Sequence, residues 1–179
     1  VFDIHQAVPA DAGEILTLQR AAFVDEAQAY GDPFILPLTE GLARIEKLLV
    51  QEDALVLKAV SGHRVVGVGR ASVTGTTGVV GRLAVAPDQR RRGIARALLV
   101  RLEEELRLRR PDLAALTLFT GAQSPHNQRL YRALGYAETH RERLADHLVM
   151  VHMRKELDGA PVGGPAEAGS GAVAGTARP

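Results

Sequence analysis

Apolar and polar residues alternate along Phe2-Asp3-Ile4-His5-Gln6-Ala7-Val8, the period of a half-buried strand. Pro9-Ala10-Asp11 supplies a helix start. Ile15, Leu16, Leu18, Ala22 and Phe23 then recur on one face of a helix running to about Ala29, where Tyr30-Gly31-Asp32-Pro33 stops it. Pro33 and Pro37 bracket an irregular segment whose Phe34, Ile35 and Leu36 are apolar; in a loop, such residues point to contact with a ligand or a neighbouring element. Thr39 is expected to cap a second helix carrying Leu42, Ile45, Leu48 and Leu49 inward, with Gly41 weakening its first turn.

The middle of the chain has the pattern of strands. Ala54–Val60, the turn Ser61-Gly62-His63, and Arg64–Val73 form an antiparallel hairpin, and Thr76-Thr77-Gly78 turns the chain into another strand from Val79 to Ala86. Gly67 and Gly69 mark either a close backbone approach or a bulge or packing accommodation. Beyond Pro87-Asp88, Ile94, Leu98, Leu99, Leu102 and Leu106 fall at helical spacing. That helix spans about Arg92 to Arg109, pairs Glu103 with Arg107 and Glu105 with Arg109 on a solvated face, and ends before Pro111. Ala115–Thr120 is a buried strand, parallel to the preceding one because a helix carries the crossover. Ser124-Pro125 gives a capping hydroxyl followed by proline at the first helical position, and Gly135 closes that helix. Strands from Tyr136 to Leu144 and Leu148 to Glu156 follow, joined by Ala145-Asp146-His147.

Composition narrows the class. The 179 residues are one domain's worth, and 46% hydrophobic with 24% charged residues reads as a soluble globular protein. From Asp158 to Pro179 glycine, alanine and proline dominate, with no Leu, Ile, Phe or Tyr to offset ordering entropy; the expectation is a domain over 1–157 and a disordered tail over 158–179. The balance of 22 basic against 21 acidic residues argues against a nucleic-acid footprint. No cysteine is present, and the six histidines form no ligand cluster, so thiolate chemistry is excluded and no metal is expected. No apolar run reaches membrane-spanning length and no signal-peptide plan is seen, which points to a cytoplasmic protein without a membrane partner, monomeric or homodimeric.

The chemistry concentrates where the strand ending Leu83-Ala84-Val85 gives way to Arg90-Arg91-Arg92-Gly93-Ile94-Ala95-Arg96. A strand, basic loop and helix in that order aim the first-turn N–H groups and the positive dipole end at one point, where an anion belongs. Arg90-x-x-Gly93-x-Ala95, following Val85-Ala86-Pro87, resembles the pyrophosphate-binding loop of the GNAT N-acetyltransferase superfamily. Ser124 through Tyr136, containing Leu130-Tyr131 and Gly135-Tyr136, resembles that family's later helix. The element order is likewise similar over about Phe2 to Leu157.

The resemblance implies a mixed, mostly antiparallel α/β (α+β) fold: seven strands, about four helices and a splayed parallel strand pair. It implies acetyl-CoA as co-substrate and an amine acceptor, with the acetyl group passing directly through a tetrahedral oxyanion. The main chain of Leu83, Ala84 and Val85 would bind the pantetheine arm, and Arg90, Arg91, Arg92, Gly93, Ile94, Ala95 and Arg96 the pyrophosphate. Tyr131 stands at the family's general-acid position. Many relatives carry an asparagine where Ser124 stands, so the further contact falls to Ser124, to Asn127, or to both. Relatives also place a glutamate on the strand before the loop, whereas Val79–Leu83 contains no acid; Glu26, Asp25 and Glu138 are left as relays through water, and no base is assigned. Phe23, Glu26, Tyr30 and the Phe34–Leu38 segment are the candidates for the acceptor side. A non-catalytic acyl-CoA-binding module or sensor is the alternative. A P-loop-type nucleotide site is disfavoured, since neither the Lys-Ser/Thr ending nor Gly-x-Gly-x-x-Gly occurs.

Overall fold

Continuous apolar runs in the middle of the chain become strands covered on both faces. In the computed structural model, which describes residues 1–158, β1 (Asp3–Gln6), β2 (Ala54–Ser61), β3 (Arg64–Thr74), β4 (Thr77–Val85), β5 (Ala115–Gly121), β6 (Ala137–Ala145) and β7 (Leu148–Glu156) form one sheet in the order β1-β2-β3-β4-β5-β7-β6. The tail expectation lies outside the described residues, Asp158 excepted. Period-two alternation sends Leu55, Leu57 and Ala59 to one face and Val56 to the other. The first face packs on α4 (Ile94–Arg109) and α5 (Pro125–Ala133), with Leu98 and Leu102 wholly buried; the second packs on α1 (Ala12–Tyr30) and, through Ile45, on α3 (Leu42–Leu49).

Several element ends differ from the sequence reading, each for a local reason. Thr39 does not cap α3: it is the last residue of a single turn, α2 (Leu36–Thr39), nucleated by Pro37, and Gly41 takes the cap position. Glu40 separates the two in an extended conformation because its carboxylate turns inward to Gln19 and Arg70. The turn before β4 is Gly75-Thr76, with Gly75 at φ +58° and Thr74 opposite Thr77, so Thr77 and Gly78 already belong to the strand. On α4, Glu103 pairs with Arg107 as its spacing predicts, but it also takes Lys155 of β7 at 2.7 Å. Glu105 pairs with Arg101, and Arg109 reaches Gln6 instead.

The glycines of β3 serve packing. A Cβ on Gly67 would lie 2.6 Å from Ile94 Cγ2 and 3.0 Å from Leu98 Cδ1, and one on Gly69 would lie 3.0 Å from Leu102. Their absence lets α4 settle directly onto the strand, which fixes where its N-terminus begins. Ile94 and Leu98 are core residues with no room to retreat, so Gly67→Ala should lower the unfolding free energy by about 1–3 kcal/mol in urea denaturation; an unchanged midpoint would show that this seat is slack.

Candidate active site

β4 and β5 run parallel for only three pairs, Thr77 with Ala115, Gly78 with Leu116 and Val79 with Thr117. Beyond Val79 they part, while β5 remains paired to β7 as far as Gly121 opposite Met150. The parting has a visible cause in β4. Val68 faces Ala84 and Arg70 faces Gly81, so three steps on β4 match two on β3, and Arg82 takes a left-handed φ of +49°. Such a bulge bends the strand. From Val80 to Val85, the β4 edge toward β5 has no ladder partner among the described residues, and backbone groups in that state are costly unless something pairs them.

β4 ends in the basic loop. Ala86 donates to Val66 O at 2.9 Å, Pro87–Gln89 makes one 3₁₀ turn, and Arg64 holds Asp88 through two bonds of 2.7 and 2.9 Å. Arg91 at φ +63° and Gly93 at φ +81° then reverse the chain into α4. Ala97 is the first α4 residue whose N–H finds a helical acceptor, Gly93 O at 3.0 Å, so the N–H groups of Ile94, Ala95 and Arg96 face outward. Arg91, Arg92 and Arg96 are exposed beside them. Arg90 differs from its neighbours: its guanidinium donates to Ala22 O at 3.0 Å and pairs with Asp25, which ties the loop to α1. The positive potential extends to α5, where burial, then Arg129, Arg90 and Arg91, push the His126 imidazole below its ordinary value.

The opening between the parted strands is a cleft of about 620 Å³. Leu83 lines it from β4, Phe23 and Glu26 from α1, and Asn127 and Tyr131 from α5. The Tyr131 ring is buried, edge-on to Tyr136 at 6.1 Å, and burial followed by the negative charge of Glu26 pushes its phenol well above its ordinary value. Burial likewise raises the Glu26 carboxyl, with Arg82 drawing it partly back. Asn127 donates to Thr120 Oγ1 at 3.3 Å at the foot of the cleft.

Other singled-out residues lie elsewhere. Ser124 takes the cap position before Pro125 in a buried setting, but its hydroxyl caps no N–H; only its main chain bonds, to Gly121 O and from Gln128 N. Tyr30 is buried outside the cleft wall, accepting the Gln123 N–H at 3.0 Å and filling the space where a Cβ on Gly121 would collide with its hydroxyl. Asp25 is held by Arg90, and Glu138 by Arg141 and Arg132 on the edge strand β6. Of the three carboxylates considered as relays, only Glu26 lines the cleft. Phe34, Ile35, Leu36 and Pro37 line it as well, so the apolar loop segment does face a cavity.

One cluster was not anticipated. Glu40, 7% exposed at its side chain, receives Gln19 Nε2 at 2.9 Å and Arg70 Nη1 at 3.2 Å, with Arg82 Nε at 3.6 Å and Arg44 Nε at 3.9 Å. Burial alone would raise its carboxyl; the Gln19 bond and the Arg70 and Arg82 charges outweigh that and hold it below its ordinary value. Arg70 and Arg82 each interrupt an apolar strand, a sequence signal for an inward-facing charge that names neither Glu40 nor Gln19 as its partner.

The acetyltransferase (GNAT) domain matches residues 25–157, most of the chain, from the last turns of α1 onward. The chain belongs to the GNAT acetyltransferase family. Solved GNAT structures share its fold. The ribosomal-protein-S18-alanine N-acetyltransferase of Escherichia coli superposes with a TM-score of 0.74 at 20% identity, covering 90% of this chain and 97% of that one. The ribosomal-protein-alanine N-acetyltransferase of Brucella melitensis gives 0.71 at 22% identity, covering 87% and 99%. The PaiA N-acetyltransferase of Thermoplasma acidophilum, in complex with coenzyme A, gives 0.70 at 15%, covering 88% and 99%. No curated protein sequence matches the chain. Among the described residues, no group of His, Asp or Glu could hold a metal ion, and no helix is long and apolar enough to cross a membrane.

Tyr30 anchors the β5–α5 loop through its bond from the Gln123 N–H. Removing its hydroxyl in Tyr30→Phe should cost about 1 kcal/mol of unfolding free energy and speed amide exchange at Gln123. Unchanged exchange there would show that the bond does not hold the loop.

Proposed function

We propose that this protein transfers the acetyl group of acetyl-CoA to a primary amine by direct attack of the amine nitrogen on the thioester. The observation that carries this reading is the unpaired edge of β4, opening onto a cleft that holds Glu26 on one side and Tyr131 on the other. The chain fits acetyl-CoA on three counts. Leu83, Ala84 and Val85 offer main-chain groups to an amide-bearing arm laid along the strand. The outward N–H groups of Ile94 to Arg96, with Arg91, Arg92 and Arg96, offer a seat for a diphosphate. Asn127, already bonded to Thr120, stands where the two meet the cleft.

Acetyl-CoA supplies the activated acyl carbon and a thiolate leaving group. Glu26, a carboxylate in a partly desolvated wall, attracts the acceptor's ammonium and takes one of its protons, leaving a nucleophilic amine. The C–N bond forms, the C–S bond breaks, and Tyr131 donates its proton to the departing sulfur. The second nitrogen proton restores the phenol, and the proton on Glu26 leaves to solvent, so the balance is one amide, one thiol and one proton. Tyr131 suits a donor because burial keeps the phenol protonated across the neutral range. The same low-dielectric surroundings raise the basicity of the sulfur it serves.

Two experiments test these roles. Tyr131→Phe should lower kcat by roughly 10²-fold while leaving acetyl-CoA affinity, measured by calorimetry, unchanged; undiminished turnover rejects the acid. Because burial raises Glu26, its carboxylate is lost as pH falls through a value above the usual carboxyl range, so kcat/KM should decline there. Glu26→Gln should lower the rate and flatten that acidic limb. Binding of acetyl-CoA without thiol release on any amine would favour a binding module instead.

A further inference from the structure

The cleft's acceptor wall carries more positive charge than its carboxylates neutralise. Arg44, Lys47, Arg70 and Arg82 line it, against Glu26 and Asp32 in the wall and Glu40 behind it. Asp32 is already engaged, accepting from Phe34 N at 2.8 Å and bonded to His147 Nε2 at 3.0 Å. Glu40 must serve three guanidinium groups and an amide with two oxygens. Arg44, 75% exposed, and Lys47 are solvated, so the cations that water reaches least are Arg70 and Arg82, at 23% and 17% exposed.

Arg82 is the less satisfied of the two, since Arg70 bonds Glu40. Its side chain is 17% exposed, and its Nε is buried with no hydrogen-bond partner; Glu40 Oε2 at 3.6 Å is out of reach. A buried Nε is closed to a ligand as it is to water, but the two Nη groups are not buried and form no hydrogen bond with the described residues, so their N–H donors are left for solvent or a ligand in the cleft. The residue also sits at the strained left-handed position of the β4 bulge, in the wall itself, and shares the cleft with Glu26. A strained backbone and a guanidinium edge without a protein partner coincide at one residue in the cleft wall.

Resting on the acetyl-transfer reading, we propose that the acceptor is a small amine bearing a single carboxylate, an amino acid, with its carboxylate on Arg82 and the neighbouring cations and its ammonium on Glu26. A carboxylate is the planar partner that a guanidinium holds through two parallel bonds. A phosphate ester, near two negative charges, would be repelled more strongly by Glu26 in the same wall. A plain alkylamine would leave the Arg82 Nη donors without a partner in the complex, with water excluded.

The test is thiol release from acetyl-CoA with the free amino acids, α and ω, each beside its carboxamide, together with O-phosphoethanolamine and simple alkylamines. At least one free amino acid should exceed its own carboxamide by about 10²-fold or more in kcat/KM. Arg82→Gln should erase that preference by raising KM for the acid, with acetyl-CoA affinity unchanged by calorimetry. Should that variant fold poorly, Arg44→Gln, at a side chain 75% exposed, should raise the same KM several-fold without touching the bulge. Carboxamides or alkylamines turned over as well as the acids, preference for the phosphate ester, turnover of no free amino acid despite acetyl-CoA binding, or a preference intact in both variants would each overturn the proposal. Failure to bind acetyl-CoA at all would instead bring down the reading on which it rests.

Discussion

The structure depends on a ladder that stops early. Three parallel pairs between β4 and β5 hold the two halves of the sheet together, and after Val79 the strands are free of each other. A parallel pair abandoned part-way exposes main-chain donors and acceptors inside the protein, which a chain avoids unless the gap has a use. Here the gap is maintained from both sides. The bulge at Arg82 turns β4 away, while the Gly121–Tyr30 contact and the pairing of β5 with β7 hold the other strand where it is. α4 and α5 span the division from one face through a shared core that includes Leu98, Leu116 and Tyr131. The cleft is therefore a consequence of sheet geometry, and the side chains lining it are fixed by elements that pack elsewhere.

The charged cluster behind the cleft follows from the same geometry. A bulge that places an arginine at positive φ carries a backbone cost and brings a cation into a half-dry wall. Glu40 answers with a carboxylate that is itself buried and itself bonded by Gln19 from α1. The α2–α3 connection is extended at Glu40 to let this happen, which is why the helix predicted to begin at Thr39 begins at Leu42. An error in a sequence-based helix boundary and the charged cluster behind the cleft thus have one cause.

What was legible in the sequence was what depends on neighbours along the chain. The period-two strands, the helical stripe from Ile94 to Leu106 and the stop at Gly31 all follow from local pattern and backbone chemistry. The family resemblance added the order in which these pieces join. Contacts between distant segments were not legible. Tyr30 looks like an acceptor-facing aromatic because it ends a helix before an apolar loop, yet the absence of a side chain at Gly121 draws it inward. Ser124 looks like a cap, yet its hydroxyl caps nothing. Arg70 and Arg82 are twelve positions apart, and Glu40 and Gln19 lie on other elements; only the folded sheet reveals them as one group.

Burial acts on Glu26 and Tyr131 in the same direction, making each hold its proton more tightly than it would in water. For the acid and base of the proposed reaction, that shared direction is consistent. The base gains affinity for the proton it must remove from an ammonium, and the acid stays charged with the proton it must later give. The cost falls on the acid, whose release of a proton becomes harder, and it is offset only if the leaving sulfur develops its charge in the same dry surroundings. A cleft that excluded water around Tyr131 but left the thioester sulfur solvated would lose that match. Tyr131 lines the cleft on the helix that also carries Asn127, and in the proposed reaction that placement would keep acid and sulfur in one environment.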